Sequence, residues 1–353
     1  MSSTPQPISS EVCNFEESSK VRKQDTHRAS PCPLCGGREI VPFLTAPDRF
    51  HNRREPYQLL RCSSCSGVWL DSPPAPEEMG PHYSDDYHRA IMTAGETYAA
   101  ERWSRHRELI ARYKQGGAIL DIGCSSGAFL GVMKGPPWKL YGIEMEASTA
   151  DRARCATGAE VFVGDVDDAP FRPESFDVIT AFDLLEHVYR PRQFLGNVLR
   201  WLKPGGIFFT MLPNIDCWES RLFGSYWYGL ELPRHLFHFS PRSLRHLLVD
   251  LGFEELLLAT SEVSYAERSA GYLYVEALER AGFAAVAPSQ ARPGSLPWRA
   301  VRKLLRMGLV NPAGYLAGFA GAGANIEAIF RRPAVSIQTA PEDENAGELV
   351  QTV

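Results

Sequence analysis

Apolar residues are spaced differently in successive parts of this chain, and the spacing divides it. Residues 1–29 hold Ser, Glu, Lys and Gln with few large apolar groups, which predicts a disordered tail. Residues 30–72 carry short apolar runs between glycines and paired cysteines. A Pro- and acid-rich connector, SPPAPEEMGPHYSDDYH, follows. Residues 96–114 then set Tyr98, Trp103, Leu109, Ile110 and Tyr113 at helical intervals, so 73–117 reads as linker plus helix.

From Ala118 the pattern becomes strand, turn, helix, repeated. AILDIGC is a β-branched apolar strand ending in glycine, and KLYGIEM, VFVGD, FDVITAFD and GIFFTMLP follow as four more. The stretches AFLGVMK, ASTADRARCAT and RQFLGNVLRWLK between them are helical. Strands alternating with helices predict a parallel sheet covered on both faces. SPRSLRHLLVDLGF is a further helix, with Ser240 as N-cap, Pro241 at its first position and Gly252 at its end. EELLLATSEV and ANIEAIFRRP read as the last two strands, the second closed by Pro333. The expected fold class is α/β: a seven-stranded, mostly parallel sheet over 118–335, with helices on both faces. No internal repeat is visible.

Composition narrows the function. A hydrophobic content of 44% and a charged content of 22% are those of a soluble globular protein. A net charge of -5 gives no basic field to draw in nucleic acid. No apolar run approaches the roughly 20 residues that span a bilayer. The first residues lack the apolar core of a secretory signal, which makes the cytosol the expected compartment. Thiols stay reduced there, so the 8 cysteines call for something other than disulfides.

Four of them supply it. Cys32-Pro33-Leu34-Cys35 and Cys62-Ser63-Ser64-Cys65 each put two thiolates on one tight turn, and two such turns provide the four ligands of a tetrahedral structural zinc. Gly36, Gly37 and Gly67 let the backbone curl around an ion. The segment between the pairs is long enough for a short hairpin, which makes 30–72 a zinc ribbon. A redox pair is the rival reading, but it needs a βαβ context that these pairs lack. Cys13, Cys124, Cys155 and Cys217 show no ligand spacing.

ILDIGCSSGAFL, from Ile119 to Leu130, is the central signal. A buried strand ends in Asp121-Ile122-Gly123, and Gly127 opens a helix. Open α/β sheets bind ligands at the carboxyl ends of their strands, where the strand order switches. A nicotinamide site wants G-x-G-x-x-G, whereas these glycines are spaced G-x-x-x-G with Ser125 between them. An acid before the first glycine suits a zwitterionic amino-acid tail better than a pyrophosphate.

These residues resemble the first motif, D-x-G-x-G-x-G, of the class I S-adenosylmethionine (SAM)-dependent methyltransferases, whose sheet is Rossmann-like. Ser125 departs from its commonest form. The resemblance continues in order. It places Asp121, Gly123, Cys124 and Gly127 in the turn beside the cofactor's amino-acid end, and Glu144 in YGIEM on the ribose hydroxyls. Asp165 in VGDVDD falls at the adenine amino group, and Asp183 opens the loop after the fourth strand in FDVITAFDLLEHV. LKPGGIFFTMLPN matches the turn into the fifth strand. The family implies SAM as methyl donor.

Acceptor chemistry is read from two loops. The D/N-P-P-Y/F segment of nucleobase and amide N-methyltransferases is absent after the fourth strand. Glu186-His187-Val188 there resembles small-molecule O- and C-methyltransferases of the ubiquinone-biosynthesis type. A zinc ribbon fused to such a domain resembles the sugar C-methyltransferases. GLELPRHLFHFSPRSL resembles the family's P-x-H-x-x-x-F-S stretch and makes His235 a candidate base, with His187 as a second and His238 an added histidine. Phe223, Tyr226, Trp227 and Tyr228 could wall an acceptor.

A helical insertion at about 265–323 separates the last two strands. Within it, residues 296–310 put Arg299, Arg302, Lys303 and Arg306 on one helical face and Trp298, Val301, Leu305 and Leu309 on another. Such a helix can lie on the inner face of an anionic membrane, cover the acceptor cleft, pair subunits, or pack on its own domain. Residues 336–353 read as a second disordered tail. The expected partner is a small-molecule acceptor, hydroxylated and sugar-like. RNA methylation with the ribbon as grip, and a non-catalytic SAM-binding module, remain the alternatives.

Overall fold

The computed structural model describes residues 30–84, 99–261, 264–282 and 321–334. Both expected tails, Tyr98 and the basic helix at 296–310 lie outside them. Three strands come first: β1 (Ile40–Pro47), β2 (Pro56–Cys62) and β3 (Val68–Leu70). They run antiparallel, and β9 (Phe237–His238) joins the far edge, giving the order β1-β2-β3-β9. The ribbon's fourth strand thus comes from the segment that holds His235 and His238.

The larger sheet is built from β4 (Gly117–Ile122), β5 (Trp138–Glu144), β6 (Glu160–Val163), β7 (Phe176–Phe182), β8 (Leu202–Pro213), β10 (Glu254–Ser261) and β11 (Asn325–Arg331). Its order is β10-β11-β8-β7-β4-β5-β6. The strands from β4 to β8 pair in parallel, while β11 lies antiparallel between β8 and β10. The chain leaves β4 toward β5 on one side and returns to β7 on the other. That reversal puts a crevice at the carboxyl ends of β4, β5 and β7. All seven expected strands are present.

The α-helices of the described residues are α1 (Ala99–Ala111), α2 (Ala128–Met133), α3 (Ala147–Thr157), α4 (Pro191–Trp201), α5 (Trp218–Phe223), α6 (Pro241–Asp250) and α7 (Ala266–Arg280). The start of α6 matches its sequence. Ser240 Oγ accepts from the Ser243 N–H at 3.2 Å, Ser243 Oγ accepts in return at 2.9 Å, and Gly252 ends the helix at φ +94°.

Ribbon and sheet share one core. Leu34, Leu59 and Val68 pack in the same buried cluster as Leu120, Phe208 and Phe330. Phe239, fully buried, follows β9 and bridges to Asn214 at the end of β8. Truncating such a side chain to alanine costs about 3–5 kcal/mol. The ribbon is therefore built into the fold rather than tethered to it. Among the described residues, no helix is long and apolar enough to cross a membrane.

Candidate active site and metal centre

The turn after β4 is shaped by backbone demands. Gly123 sits at φ +73° and its N–H donates to the Ile143 carbonyl at 2.9 Å. Gly127, at φ +83°, starts α2 where a Cβ would come within 2.9 Å of Thr157 and 3.1 Å of the Ala153 Cα. Ser125 adopts φ +48°, the left-handed conformation that the family's middle glycine takes without strain. Glu144, half-buried at the end of β5, holds this turn: its carboxylate accepts from the Ser125 N–H at 3.0 Å and the Glu146 N–H at 3.1 Å. Each oxygen keeps acceptor capacity for a vicinal diol.

Asp121 lies opposite Thr180 of β7 and accepts from its hydroxyl at 2.7 Å. Burial, opposed by that hydrogen bond and reinforced by the Glu144 charge, pushes the Asp121 carboxyl up to about 7. A ligand cation nearby would offset the cost of ionising it. Asp165 is exposed and caps the turn at 166–168 by accepting from the Asp167 N–H at 2.8 Å. Asp183, at φ +51°, accepts from Arg102 of α1 at 2.7 Å. Cys124 is buried against Gly142, and burial pushes its thiol up to about 12, so it offers the crevice its backbone.

This arrangement fits SAM. A carboxylate and open glycine backbone face the end of β4, and Glu144 stands ready for a ribose. The next residue, Met145, is 71% exposed, an apolar face that a purine ring can cover.

A second cluster lies beyond β7. Glu186 is buried, and neither carboxylate oxygen has a hydrogen-bond partner. Burial and the nearby Asp183 hold its carboxyl well above the usual range. His187 Nδ1 lies 3.0 Å from the Arg234 carbonyl and 3.1 Å from the Tyr83 hydroxyl. Its ring meets that of His235 edge-on at 4.7 Å. His235 Nδ1 is 2.9 Å from the Gly229 carbonyl, an acceptor only, so Nδ1 carries the proton and Nε2 the lone pair. Nε2 is 3.7 Å from the Glu231 carboxylate. Burial first, then the neighbouring histidines, hold His235 well below its ordinary range, hence neutral. His238 bonds to the Leu230 carbonyl at 3.0 Å, and burial pushes it down to about 4.

The ribbon closes this cluster from outside. Asp48, fully buried after β1, contacts His51 Nδ1 at 2.8 Å and His82 Nδ1 at 3.2 Å. The Arg234 guanidinium, 1% exposed, donates to the His82 carbonyl at 3.2 Å. Arg53 and Arg234 each lie 3.4 Å from these imidazoles, so cations already balance Asp48 where a metal would have to sit. Asp48, His51, His82, Tyr83, Glu186, Glu231 and Arg234 were not among the expected site residues. Their trace in sequence is charge embedded in apolar runs, as in LELPRHLFHF. Trp227 and Tyr228 are buried, and Tyr228 stacks on Tyr272 at 5.9 Å, while Tyr226 lies under Arg49 at 3.7 Å.

The four ribbon cysteines converge. Their sulfurs all lie within 4.8 Å of one another, with Cys32–Cys65 at 3.7 Å and Cys35–Cys62 at 3.6 Å. A tetrahedral ion with metal–sulfur bonds of about 2.3 Å sets its sulfurs about 3.8 Å apart. The Gly37 and Gly67 N–H groups each donate to a sulfur at 3.4 Å, the usual support of a thiolate. The group can hold one metal ion.

Comparison with known proteins agrees with the geometry. A family model described as a methyltransferase domain matches residues 96–258, the span from α1 into β10. Residues 96–258 thus carry a methyltransferase domain. It is 26% identical over 160 residues to a "Probable S-adenosylmethionine-dependent methyltransferase" of Mycolicibacterium smegmatis, covering 43% of this chain and 59% of that protein. It is 29% identical over 165 residues to the ubiquinone biosynthesis O-methyltransferase of Thiobacillus denitrificans, covering 43% of this chain and 69% of that one. The similarity thus spans three-fifths to two-thirds of these relatives. A solved SAM-dependent methyltransferase from Archaeoglobus fulgidus aligns at 16% identity and a TM-score of 0.45, over 68% of this chain and 99% of that one. The matched span takes in the turn after β4 and the loops that hold His187 and His235, while the ribbon at 30–72 lies outside it.

Proposed function

We propose that this protein transfers the methyl group of SAM to a hydroxyl or carbon of a small molecule, with His235 as the base. The observation that carries the reading is a neutral, tautomer-fixed His235 beside Glu231, in a buried cluster on the loops that follow β7 and β8. Bound SAM supplies an electrophilic methyl on a sulfonium leaving group. The turn from Asp121 to Gly127 would hold its amino-acid end, Glu144 its ribose, Asp165 the edge of its adenine and Asp183 the loop against it. His235 Nε2 takes the proton that the acceptor loses, and the Glu231 carboxylate stabilises the imidazolium. His187, fixed through Nδ1 by Arg234 and Tyr83, orients the acceptor and the His235 ring. Cys32, Cys35, Cys62 and Cys65 would hold zinc, and with four protein ligands it would be structural.

The acceptor reading draws support from relatives named for ubiquinone and demethylmenaquinone methylation. A nucleotide- or lipid-linked sugar is the narrower expectation. Calorimetry on zinc-loaded full-length protein should show SAM and its demethylated product binding at one site. Transfer from radiolabelled SAM, screened over nucleotide sugars, quinone precursors and RNA, should label a small molecule. No cofactor binding would overturn the whole reading, and label on RNA alone would overturn the acceptor class.

A further inference from the structure

A cavity of about 440 Å³ opens between the ribbon loop that follows β1 and the helix α7, a volume typical of small-molecule sites. Its rim is rich in guanidinium groups: Arg49, Arg53 and Arg54 from the ribbon and Arg280 from α7. Two carboxylates, Glu276 and Glu279, answer these four cations, in a chain whose overall charge is -5. Arg49 is already tied to the Ser225 carbonyl and to Glu276, and Arg280 to Glu276 as well. Arg53 donates to the Pro81 carbonyl. Arg54 is exposed, and among the described residues it has no hydrogen-bond or ion-pair partner. The rim therefore holds excess positive charge: Arg49 and Arg280 share Glu276, Arg53 is held beside His82 and Pro81, and Arg54 is exposed. Guanidinium forks match phosphate oxygens two at a time, which suits Arg better than Lys for this purpose.

Tyr272 lines the same cavity and leads inward. Its ring stacks on Tyr228, and the Tyr228 carbonyl accepts from the N–H of Glu231, the carboxylate beside His235. The stacked rings of Tyr272 and Tyr228, both buried, separate the cationic rim from the turn that carries the proposed base.

We infer that this cavity binds a diphosphate group, and that this group is the anionic handle of the methyl acceptor. The second half rests on the methyltransferase reading; the first does not. Diphosphate oxygens lie across Arg53 and Arg54, with Arg49 and Arg280 completing the field and the remainder of the molecule directed along Tyr272. Glu279, bonded to Asn52 at 3.1 Å, limits affinity by placing a negative charge on the rim.

Calorimetry on the full-length, zinc-loaded protein, saturated with S-adenosylhomocysteine, tests this with inorganic pyrophosphate, UDP and farnesyl diphosphate as probes. Pyrophosphate should bind at a single site. Arg54→Glu, a change at an exposed and unpartnered side chain, should weaken it about tenfold or more, and Glu279→Gln, which keeps the bond to Asn52, should tighten it about threefold. One of the two organic diphosphates should bind tighter than pyrophosphate, UDP marking a nucleotide-linked acceptor and farnesyl diphosphate a lipid-linked one. If S-adenosylhomocysteine binds and pyrophosphate does not, or if Arg54→Glu leaves its affinity unchanged, the diphosphate site is refuted while the methyltransferase reading stands. If pyrophosphate binds but neither organic probe improves on it, the acceptor assignment is refuted. Loss of S-adenosylhomocysteine binding itself would instead strike the methyltransferase reading.

Discussion

The cofactor turn and the histidine cluster are built in opposite ways. The turn is a local object: Asp121, Gly123, Ser125, Gly127 and Glu144 lie on two adjacent strands and the loops leaving them, bonded mostly through backbone. The cluster is assembled over long range, from Asp48 and His51 of the ribbon, His82 and Tyr83 of the connector, Glu186 and His187 after β7, and Glu231 to His238 after β8. Apart from the buried Asp121, the first keeps its polar groups near solvent, whereas the second buries most of them. A cradle for a common cofactor can stand on backbone alone, while a site for a particular acceptor needs side chains that only the finished fold brings together.

If that division is correct, the cluster can be broken without touching the turn. His235→Ala should lower methyl transfer by about a thousandfold, within the range for a lost general base, while SAM affinity measured by calorimetry stays within about twofold. Because burial holds His235 well below its ordinary range, turnover should show no acid limb near pH 6.5. An acid limb there, or unchanged turnover in the variant, would remove His235 from the mechanism.

The ribbon supplies the next largest effect. Cys62→Ser should abolish stoichiometric zinc, measured by mass spectrometry, and lower transfer by about a hundredfold through misplacement of His82, Tyr83 and Arg234. SAM affinity should again change little. Equal loss of SAM binding would mean that the ribbon supports the whole fold and not the acceptor side in particular.

What could be read in the sequence follows the same line. The five strands from β4 to β8 were legible because buried parallel strands are near-continuous apolar runs, and α6 because Ser240, Pro241 and Gly252 mark its ends by local chemistry. Glu144 and Asp121 were legible as strand-end carboxylates. Strand β9 was not: two residues, Phe237 and His238, carry no periodicity, and their partners Trp69 and Val68 belong to another segment. Nor were Asp48, Tyr83 and Glu231 legible as a group, since nothing local says which charges a later-packing ribbon will bury. Glu186 stood in plain view beside His187, and only its burial without a hydrogen-bond partner distinguishes it from a surface acid.

A smaller effect belongs to the turn. Asp121 keeps its proton up to about 7 in the free protein, against an ordinary value of 3.8. SAM brings positive charge, which favours the ionised form. Its affinity should therefore rise with pH, approaching tenfold per unit below about pH 7, and flatten above. For folding the sign is reversed. A raised acid contributes stability that is fully present below pH 4 and lost as pH rises through about 7. Relative to wild type, Asp121→Asn should gain thermal stability above pH 7 and lose the pH slope of SAM affinity. A slope that persists in the variant would place the titrating group elsewhere.

The smallest expected effect isolates one residue of the turn. Ser125 holds φ +48° where a side chain is strained, at a cost of about 1–2 kcal/mol. Glycine would remove that strain but add about 0.5–1 kcal/mol of chain entropy to the unfolded state. The Ser125 N–H would still reach Glu144, since that bond is made by the backbone. The two terms leave Ser125→Gly more stable by about 0.5–1 kcal/mol, a rise of about 1–4 °C in Tm for a domain of this size. Gly127→Ala should go the other way, because its new methyl meets Thr157 and Ala153 in addition to the backbone strain. Cluster variants such as His235→Ala should not interact with either change, as the two sites share no side chain. A fall in Tm for Ser125→Gly would show that the serine hydroxyl contributes more to the free turn than its backbone strain costs.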